Sequence, residues 1–319
     1  MLTTLTKRDR LLTYVKSKGE RTYTPAAFFL HFGAQYQIGD PAVRRHQDFF
    51  QATDMDFVKI QFEIDFPTHE VKSPTDYKSI SPLSPTIFDK QFRVVKSLLD
   101  SMKREAVVVL TLYSPFMVLG RMVGAEKLNA HLEEDPSAVA PAIEKVADEL
   151  LEFVKECEVL GIDGFYHATQ GGESRRFKNP ETFTKYIKPT DLHIMKVTDR
   201  ICPFNILHIC DYHKDFGNYS DLQPFLDYPG TVVNVSTEIG DRHLTPTELS
   251  DYFGRPFMGG LDRLGPIATG TPDEARAAAK EVLSGAPPRF ILGADCTVAA
   301  ETPWENLHAA VDEAHHFSG

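Results

Sequence analysis

The sequence predicts an α/β protein folded as a single (β/α)8 barrel with an N-terminal helical extension. Eight short apolar runs recur along the 319 residues, and segments with helical patterning separate them. Such alternation gives a parallel sheet, and eight strands are the number that closes the sheet into a barrel. The alternative is an open, doubly wound sheet, but no G-x-G-x-x-G motif follows an early strand. We therefore expect one domain over residues 1–319.

The predicted strands are short runs rich in β-branched and aromatic residues. They occupy residues 26–32, 56–62, 106–113, 161–168, 204–210, 231–237, 255–262 and 289–296. The seventh run, "RPFMGGLD", contains two glycines that weaken its strand character.

The predicted helices carry apolar stripes and, in several cases, capping residues. Residues 1–20 have the pattern of an amphipathic helix and lack the continuous apolar core and cleavage site of a signal peptide. In "TPDEARAAAKEVLSG", Thr271 stands at the N-cap, Pro272 follows it and Gly285 comes after the end. The helices predicted between strands occupy residues 84–105, 136–160, 245–253, 271–285 and 302–317.

Composition excludes several classes of protein. The formal net charge of −11 disfavours a nucleic-acid binder, which needs a basic face. No apolar run reaches the roughly 18 residues that span a bilayer. Four cysteines are too few for a disulfide scaffold. We expect a cytoplasmic protein that acts on a small molecule, with neither nucleic acid nor membrane as partner, and a homodimer is one expected assembly.

The chemistry-bearing residues stand where predicted strands end, which is where barrels of this kind place their reactive side chains. In "NILHICDY", His208 and Cys210 are two positions apart, so both point to one face of the strand. Cys296 ends the eighth run. Zinc prefers imidazole and thiolate ligands, and catalytic zinc keeps three protein ligands and an open position. These three residues therefore predict a zinc site, with Glu238 after the sixth run as a candidate fourth ligand.

Each of these residues also has an ordinary interpretation. His208 alone fits a buried histidine whose hydrogen bonds are satisfied, and each cysteine alone fits a small core residue. A structural zinc is usually closed by four nitrogen or sulfur ligands at short spacings. Here 86 positions separate Cys210 from Cys296, and no fourth such ligand is evident. We place Cys157 in helix packing and Cys202 at the start of the fifth strand, away from the site.

Further polar residues at or near the strand ends are candidate substrate contacts or orienting groups. Lys59 inside a strand is unusual unless it reaches a carboxylate, and its alternative is a surface or core-paired lysine. The fourth run ends in "YHATQGGE", which brings three polar side chains to the same edge. The candidate contacts are Asp56, Lys59, Tyr166, His167 and Gln170, and the candidate orienting groups are Asp211 and Asp262.

The chain resembles the uroporphyrinogen decarboxylase superfamily over most of its length. The stretches "FYHATQGG", "LHICD", "MGGLDRLGPIATGTPDEARAAAKEVL" and "FILGADCTVAAETPWENLHAAV" look like that family's fourth, fifth, seventh and eighth units. The resemblance implies a TIM barrel. The His-x-Cys…Cys pattern is similar to the zinc site of the methylcobamide:coenzyme M methyltransferases, and cobalamin-independent methionine synthase has a comparable set with an added Glu. It implies His208, Cys210 and Cys296 as Zn2+ ligands, whereas the offset of Glu238 matches less cleanly.

The resemblance implies transfer of a methyl group to a thiol that is activated on zinc. The implied donor is methylcobalamin on a separate corrinoid protein, and the chain itself contains no D-x-H-x-x-G motif. A metal-assisted decarboxylase or lyase of the same superfamily, acting on a small carboxylate, is the alternative. A non-enzymatic protein with a structural zinc is the third hypothesis.

The first predicted loop argues against porphyrinogen chemistry. Decarboxylases of this family place arginines there to hold the porphyrinogen carboxylates, whereas "FFLHFGAQYQIGD" contains His31 and Gln35 but no arginine. Burying several carboxylates without cations is costly. We therefore expect no decarboxylation of uroporphyrinogen, although Lys59, Arg242 and Arg263 could hold one acidic group.

Overall fold

Parallel strands and helices alternate along the chain, as the apolar pattern predicts. The computed structural model describes residues 5–17, 23–212 and 214–317. The strands are β1 (Phe57–Ile60), β2 (Val107–Tyr113), β3 (Gly164–Thr169), β4 (Ile206–Ile209), β5 (Val232–Val235), β6 (Glu238–Ile239), β7 (Arg242–His243), β8 (Phe257–Leu261) and β9 (Ile291–Ala294). The helices are α1 (Lys7–Tyr14), α2 (Gly39–Thr53), α3 (Asp89–Met102), α4 (Pro115–Val123), α5 (Ala125–Glu134), α6 (Pro136–Leu160), α7 (Lys188–Ile201), α8 (Pro246–Phe253), α9 (Pro266–Thr269), α10 (Pro272–Ser284) and α11 (Trp304–His316). Within the described ranges, each helix is too short or too polar to cross a lipid bilayer.

Seven strands form one parallel sheet in the order β1-β2-β3-β4-β5-β8-β9, and β6 and β7 form a separate antiparallel pair. The segment around residues 26–30 lies between the two edge strands. Ala26 and Leu30 make isolated parallel bridges to Leu292 and Val298. On the other side, the amide of Asp56 donates to the carbonyl of Ala26 at 2.9 Å. The segment occupies the eighth strand position, so the predicted barrel is confirmed.

The predicted first strand differs from the other seven because it makes two bridges and not a continuous ladder. Pro25 precedes it and has no amide hydrogen to donate, although its carbonyl accepts from Leu292 at 2.9 Å. The other predicted strands coincide with β1 to β5, β8 and β9. The twin glycines of β8 have positive φ angles of +145° and +94°, and a Cβ on Gly260 would lie 2.4 Å from Val282 of α10. Gly260 therefore allows the strand to lie close to its covering helix.

The predicted helices are present, with differences at their ends. The helix predicted from residue 84 begins at Asp89, because a turn closes first through the Ile87 amide and the Ser84 carbonyl. The last helix begins at Trp304, with Pro303 and not Thr302 at its N-cap. Helices α2, α4, α5, α7 and α9 are additional to the predicted set.

Helix α1 covers the amino-terminal end of the barrel. Thr6 caps the helix by accepting from the amide of Asp9. Leu11 is fully buried, and the guanidinium of Arg8 pairs with the buried carboxylate of Asp163, just before β3. The helical extension predicted over residues 1–20 is thus present in part, and residues 1–4 and 18–20 lie outside the described residues.

Candidate metal centre

A cavity of about 320 Å3 opens at the carboxyl ends of the strands, and we call it the barrel-mouth cavity. Its strand residues are two positions apart, because alternate side chains of a barrel strand point inward. One wall is apolar and comes from α4 and α5. The strand residues are Lys59, Thr111, Tyr113, Tyr166, Ala168 and His208, and Gln170 and Cys210 continue the same alternation one residue past β3 and β4. The apolar wall includes Phe116, Met117 and Leu128.

His208, Cys210 and Cys296 converge in this cavity. One nitrogen and two sulfur atoms, one from each residue, all lie within 4.8 Å of one another, and all three side chains are buried. The Sγ of Cys296 is 3.3 Å from Nε2 of His208. Across the described part of the chain, this is the one group of three or more histidine, cysteine or acidic side chains with such spacing. The donor set, the burial and the convergence all fit a zinc ion.

The two thiols share one electrostatic environment. The hydrogen bond from Cys296 holds the pKa of Cys210 well below its ordinary value, and the same contact raises the pKa of Cys296. Two buried thiolates this close repel each other, so ionisation of one disfavours ionisation of the other. A divalent metal would allow both to be thiolates, which is a second respect in which the residues fit zinc.

Tyr166 and Asn234 set the orientation of His208 from the barrel interior. The His208 ring stacks on Tyr166 with centroids 4.8 Å apart. The Tyr166 hydroxyl donates to Oδ1 of Asn234 at 2.6 Å, and the Asn234 amide donates to the carbonyls of Met258 and Ala294. His208 Nδ1 is buried and has no hydrogen-bond partner among the described residues. The sequence signals Asn234 only as one polar position inside an apolar strand.

Gln170 contacts a candidate ligand directly. Its Nε2 donates to Cys210 Sγ at 3.4 Å, and its Oε1 accepts from Arg176 Nη2 at 3.4 Å. Arg176 is itself held by two hydrogen bonds to Glu173, of 2.6 and 2.7 Å, and lies 4.0 Å from the ring centroid of Phe216. Gln170 therefore has a fixed orientation toward sulfur. Nothing in the stretch "GGESRRF" marks Arg176 as a buried residue beside the site.

Lys59 brings a positive charge into the cavity from the middle of β1. Its Nζ lies 5.1 Å from the ring centroid of Phe29 and 5.5 Å from that of Tyr166. Burial lowers the pKa of Lys59 to about 8, and nearby Glu63 opposes this shift. Lys59 is thus a buried ammonium that remains largely charged at neutral pH.

The structure corrects the prediction for His167. Its ring lies on the helix side of β3, where Nε2 is 2.8 Å from the Thr198 hydroxyl of α7. Tyr166, Ala168 and Gln170 take the inward positions, so alternation directs His167 outward. Burial lowers its pKa to about 3, which fits a neutral packing residue and not a substrate contact.

Glu238 also lies elsewhere than predicted. The chain leaves β5 at Val235 and enters the β6–β7 hairpin, so Glu238 is carried away from Cys210. Its side chain is 62% exposed and lies 2.6 Å from Nδ1 of His243. It is not a member of the convergent group, and the ligand set that the geometry supports has three residues.

The remaining predicted residues are dispersed. Arg242 is exposed in β7, and Gln35 is exposed in a 3-10 turn. His31 lines the rim of the cavity, 3.5 Å from Glu63. Cys157 and Cys202 are buried and do not line the barrel-mouth cavity. Asp56 lies at the end of β1 away from the cavity, where its carboxylate accepts a hydrogen bond from the Ala26 amide at 2.7 Å. It therefore stabilises the fold and is not a substrate contact.

The comparisons with known proteins define the class. Residues 53–317 match the family model described as uroporphyrinogen decarboxylase (URO-D), so the chain belongs to that family, and the family recognised from its motifs is confirmed. A relative named methylcobamide:CoM methyltransferase MtbA, from Methanosarcina mazei, is 24% identical over 225 residues. That match covers 70% of this chain and 62% of the relative, so the chain spans less than two thirds of the relative's length.

Two solved structures share the fold. A methyltransferase from Methanosarcina mazei matches with a TM-score of 0.75 and 16% identity, over 98% of both chains. A B12-independent methionine synthase from Shewanella sp. W3-18-1, in complex with selenomethionine, matches with a TM-score of 0.60 and 14% identity. That match covers 92% of this chain and 97% of the other. At these sequence identities, the similarity shows that the chains share the barrel fold.

Proposed function

We propose that this chain is a methyltransferase that moves a methyl group to a thiol acceptor, using a zinc ion held by His208, Cys210 and Cys296. The observation that carries the proposal is the convergence of one imidazole nitrogen and two sulfurs within 4.8 Å, inside a cavity of about 320 Å3. Membership of the uroporphyrinogen decarboxylase family and the likeness to a methylcobamide:CoM methyltransferase support the reaction class.

Zinc held by one neutral imidazole and two thiolates would supply an open position at which a thiol loses its proton. The residues around it would orient the ligands and exclude water. Gln170 donates to Cys210, and Tyr166 holds the His208 ring. In the reaction, a bond forms between the acceptor sulfur and the methyl carbon while the bond from that carbon to the donor breaks, which requires alignment of the two substrates.

We propose methylcobalamin on a separate corrinoid protein as the donor. The name of the methylcobamide-using relative supports this choice, and the sequence contains no D-x-H-x-x-G corrinoid motif of its own. The four free cysteines support a reducing compartment, and we propose the cytoplasm.

The cavity supports a small acceptor that carries an acidic group. Its volume suits a molecule of modest size. Phe116 and Met117 offer an apolar wall, and Lys59 offers a buried ammonium beside the candidate ligands. We propose Lys59 as the residue that contacts the acidic group of the acceptor.

The test is a methyl-transfer assay with methylcobalamin and a panel of small thiols. Cys210→Ala and Cys296→Ala should abolish transfer, because loss of one thiolate weakens zinc binding and displaces the acceptor sulfur. Cys157→Ala and Cys202→Ser are matched controls, since both remove a buried thiol outside the cavity, and they should retain activity. Wild-type activity in Cys296→Ala would show that the zinc assignment is wrong.

A metal-assisted decarboxylase or lyase is the second candidate, and the description of the family model favours it. The cavity argues against a porphyrinogen with several carboxylates. Of the arginines that line it, Arg176 is already paired with Glu173, and Arg121 is exposed. The same protein preparation should release no carbon dioxide from uroporphyrinogen. Release of carbon dioxide, with no thiol methylated, would favour the decarboxylase.

A further inference from the structure

Arg263 follows β8 and extends between the two loops that carry the candidate cysteine ligands. Its side chain is only 6% exposed. Its Nη1 lies 3.2 Å from Oδ1 of Asp211 and 3.3 Å from Oδ2 of Asp295. Asp211 directly follows Cys210, and Asp295 directly precedes Cys296. One guanidinium nitrogen therefore joins both loops.

The Asp295 carboxylate extends this contact into the backbone. Its Oδ1 accepts from the amide of Arg263 at 2.8 Å and from the amide of Cys296 at 3.0 Å. The amide of Asp295 donates to the carbonyl of Leu261 at 2.9 Å. The turn that directs Cys296 into the cavity is thus built on the residues that surround Arg263.

The sheet by itself leaves the separation of the two cysteines undetermined. Cys210 follows β4 and Cys296 follows β9, and two other strands lie between them. The β4 ladder ends at Ile209 and β9 ends at Ala294, so both cysteines stand beyond regular structure. A zinc ion tolerates deviations of only about 0.2 Å from its ligand distances. Some contact between the loops must supply that accuracy.

We propose that Arg263 is a positioning residue of the metal site, which holds the Cys210 and Cys296 loops at the separation that one zinc ion requires. The inference rests on the zinc site of the proposed function and not on methyl transfer. Without the guanidinium, Asp211 and Asp295 are two buried carboxylates with no shared cation. Their repulsion and their desolvation both favour separation of the loops.

The experiment compares Arg263→Met with wild type and with Arg276→Met. Arg276 is the control, because its Nη1 also contacts two carboxylates, 2.6 Å from Asp312 and 3.7 Å from Glu313. These residues lie on the outer helices α10 and α11 and do not line the barrel-mouth cavity. Zinc affinity is measured by competition with a chromophoric chelator. The geometry of the site is measured by the absorption spectrum of the cobalt(II)-substituted protein, and circular dichroism checks the fold.

Arg263→Met should bind zinc about 10–100-fold more weakly than wild type and show an altered cobalt spectrum, as loss of an outer-shell contact typically does. Arg276→Met should match wild type in both. Arg263→Lys should recover most of the affinity, because an ammonium can donate to both carboxylates. If Arg263→Met does not fold, Arg263→Gln, which can reach one carboxylate only, is judged by the same criteria.

Wild-type zinc affinity and an unchanged cobalt spectrum in Arg263→Met would overturn the inference and leave the proposed function standing. A wild-type protein that binds no zinc would contradict both.

Discussion

At the scale of single residues, the barrel-mouth cavity combines two thiols, one imidazole and a buried ammonium. Cys210 receives a hydrogen bond from Gln170, and its pKa is held low by the contact with Cys296. Lys59 stands among aromatic rings and is 6% exposed. A charged group so deeply buried is costly unless anionic groups lie near it.

The first prediction concerns Lys59 and the charge of the acceptor. Because its pKa is about 8, Lys59 loses its charge as the pH rises through that value. Two thiols are compared: 3-mercaptopropionate, which carries a carboxylate, and 2-mercaptoethanol, which is neutral. The ratio of kcat/KM for the first thiol to kcat/KM for the second should fall about tenfold as the pH rises from about 7 to about 9. Taking a ratio removes the pH dependence that the two thiols share.

Lys59→Met is the corresponding variant. The ratio should be low at every pH, because the ammonium is absent. A ratio that is equal in wild type and Lys59→Met would show that Lys59 does not contact the acidic group.

At the scale of elements, the inward and outward faces of each strand decide which residues reach the site. His208 and Cys210 share a face whatever the phase of the strand, so their proximity could be predicted from sequence alone. His167 could not be placed in this way. Barrel strands are buried on both faces, and every residue of β3 is buried, so its sequence does not reveal which alternate set of side chains points inward.

The paths of the loops after the strands also could not be predicted from the sequence. Glu238 follows β5 by three residues, and the β6–β7 hairpin removes it from the site. The pair Gly240-Asp241 is a hairpin turn signal, but the two strands that flank it are only two residues long and have no strand pattern of their own. Arg263 is predicted only as a cation that could hold an acidic group, because its role depends on Asp211 and Asp295 from two distant parts of the chain.

The second prediction concerns the close approach of β8 to α10. Gly260→Ala should lower the free energy of unfolding by about 2–4 kcal/mol, because it combines a strained positive φ with an overpacked contact. The positive φ is +94°, and the added Cβ would lie 2.4 Å from Val282. Urea denaturation gives the measurement.

Two other glycines separate the effect of the strained φ angle from the effect of the overpacked contact. Gly254 has a φ of +64° and no atom within 4 Å of an added Cβ, so Gly254→Ala should cost only the strain of about 1–2 kcal/mol. Gly285 has a φ of −107° and equally open space, so Gly285→Ala should cost nothing. Equal losses for Gly260→Ala and Gly254→Ala would show that the contact with Val282 contributes nothing.

At the scale of the whole molecule, seven paired strands and the bridging segment around residues 26–30 enclose the core. Eight apolar runs sufficed to predict this closure, because strand number and the parallel direction leave few alternatives. Two histidines are buried outside the site, between the sheet and its helices. Burial lowers the pKa of His46 to about 4 and that of His167 to about 3.

The third prediction is an acid-dependent loss of stability that includes His167. Its folded pKa lies below the ordinary value, so the unfolded chain binds a proton that the folded chain does not. Its contribution to stability is present above about pH 6.5 and is lost as the pH falls toward about 3. Between about pH 7.5 and about pH 5, this histidine should account for about 2 kcal/mol of the loss.

Urea denaturation at both pH values tests this on His167→Gln, which can still hydrogen-bond Thr198. The variant should lose about 2 kcal/mol less than wild type over that pH interval. His316→Gln is the control, because the His316 ring is 78% exposed. The free energy of unfolding of this variant should fall as much as that of wild type over the same pH interval. Equal losses in all three proteins would contradict the buried, neutral state of His167.

The central claim is that His208, Cys210 and Cys296 bind one zinc ion, and zinc K-edge X-ray absorption of the wild-type protein tests it most directly. We predict about one zinc per chain, with about one nitrogen at 2.0–2.1 Å and about two sulfurs near 2.3 Å. Addition of a thiol acceptor should add one sulfur to that shell. Zinc bound only by nitrogen and oxygen, or a protein that retains no zinc after metal loading, would contradict the claim.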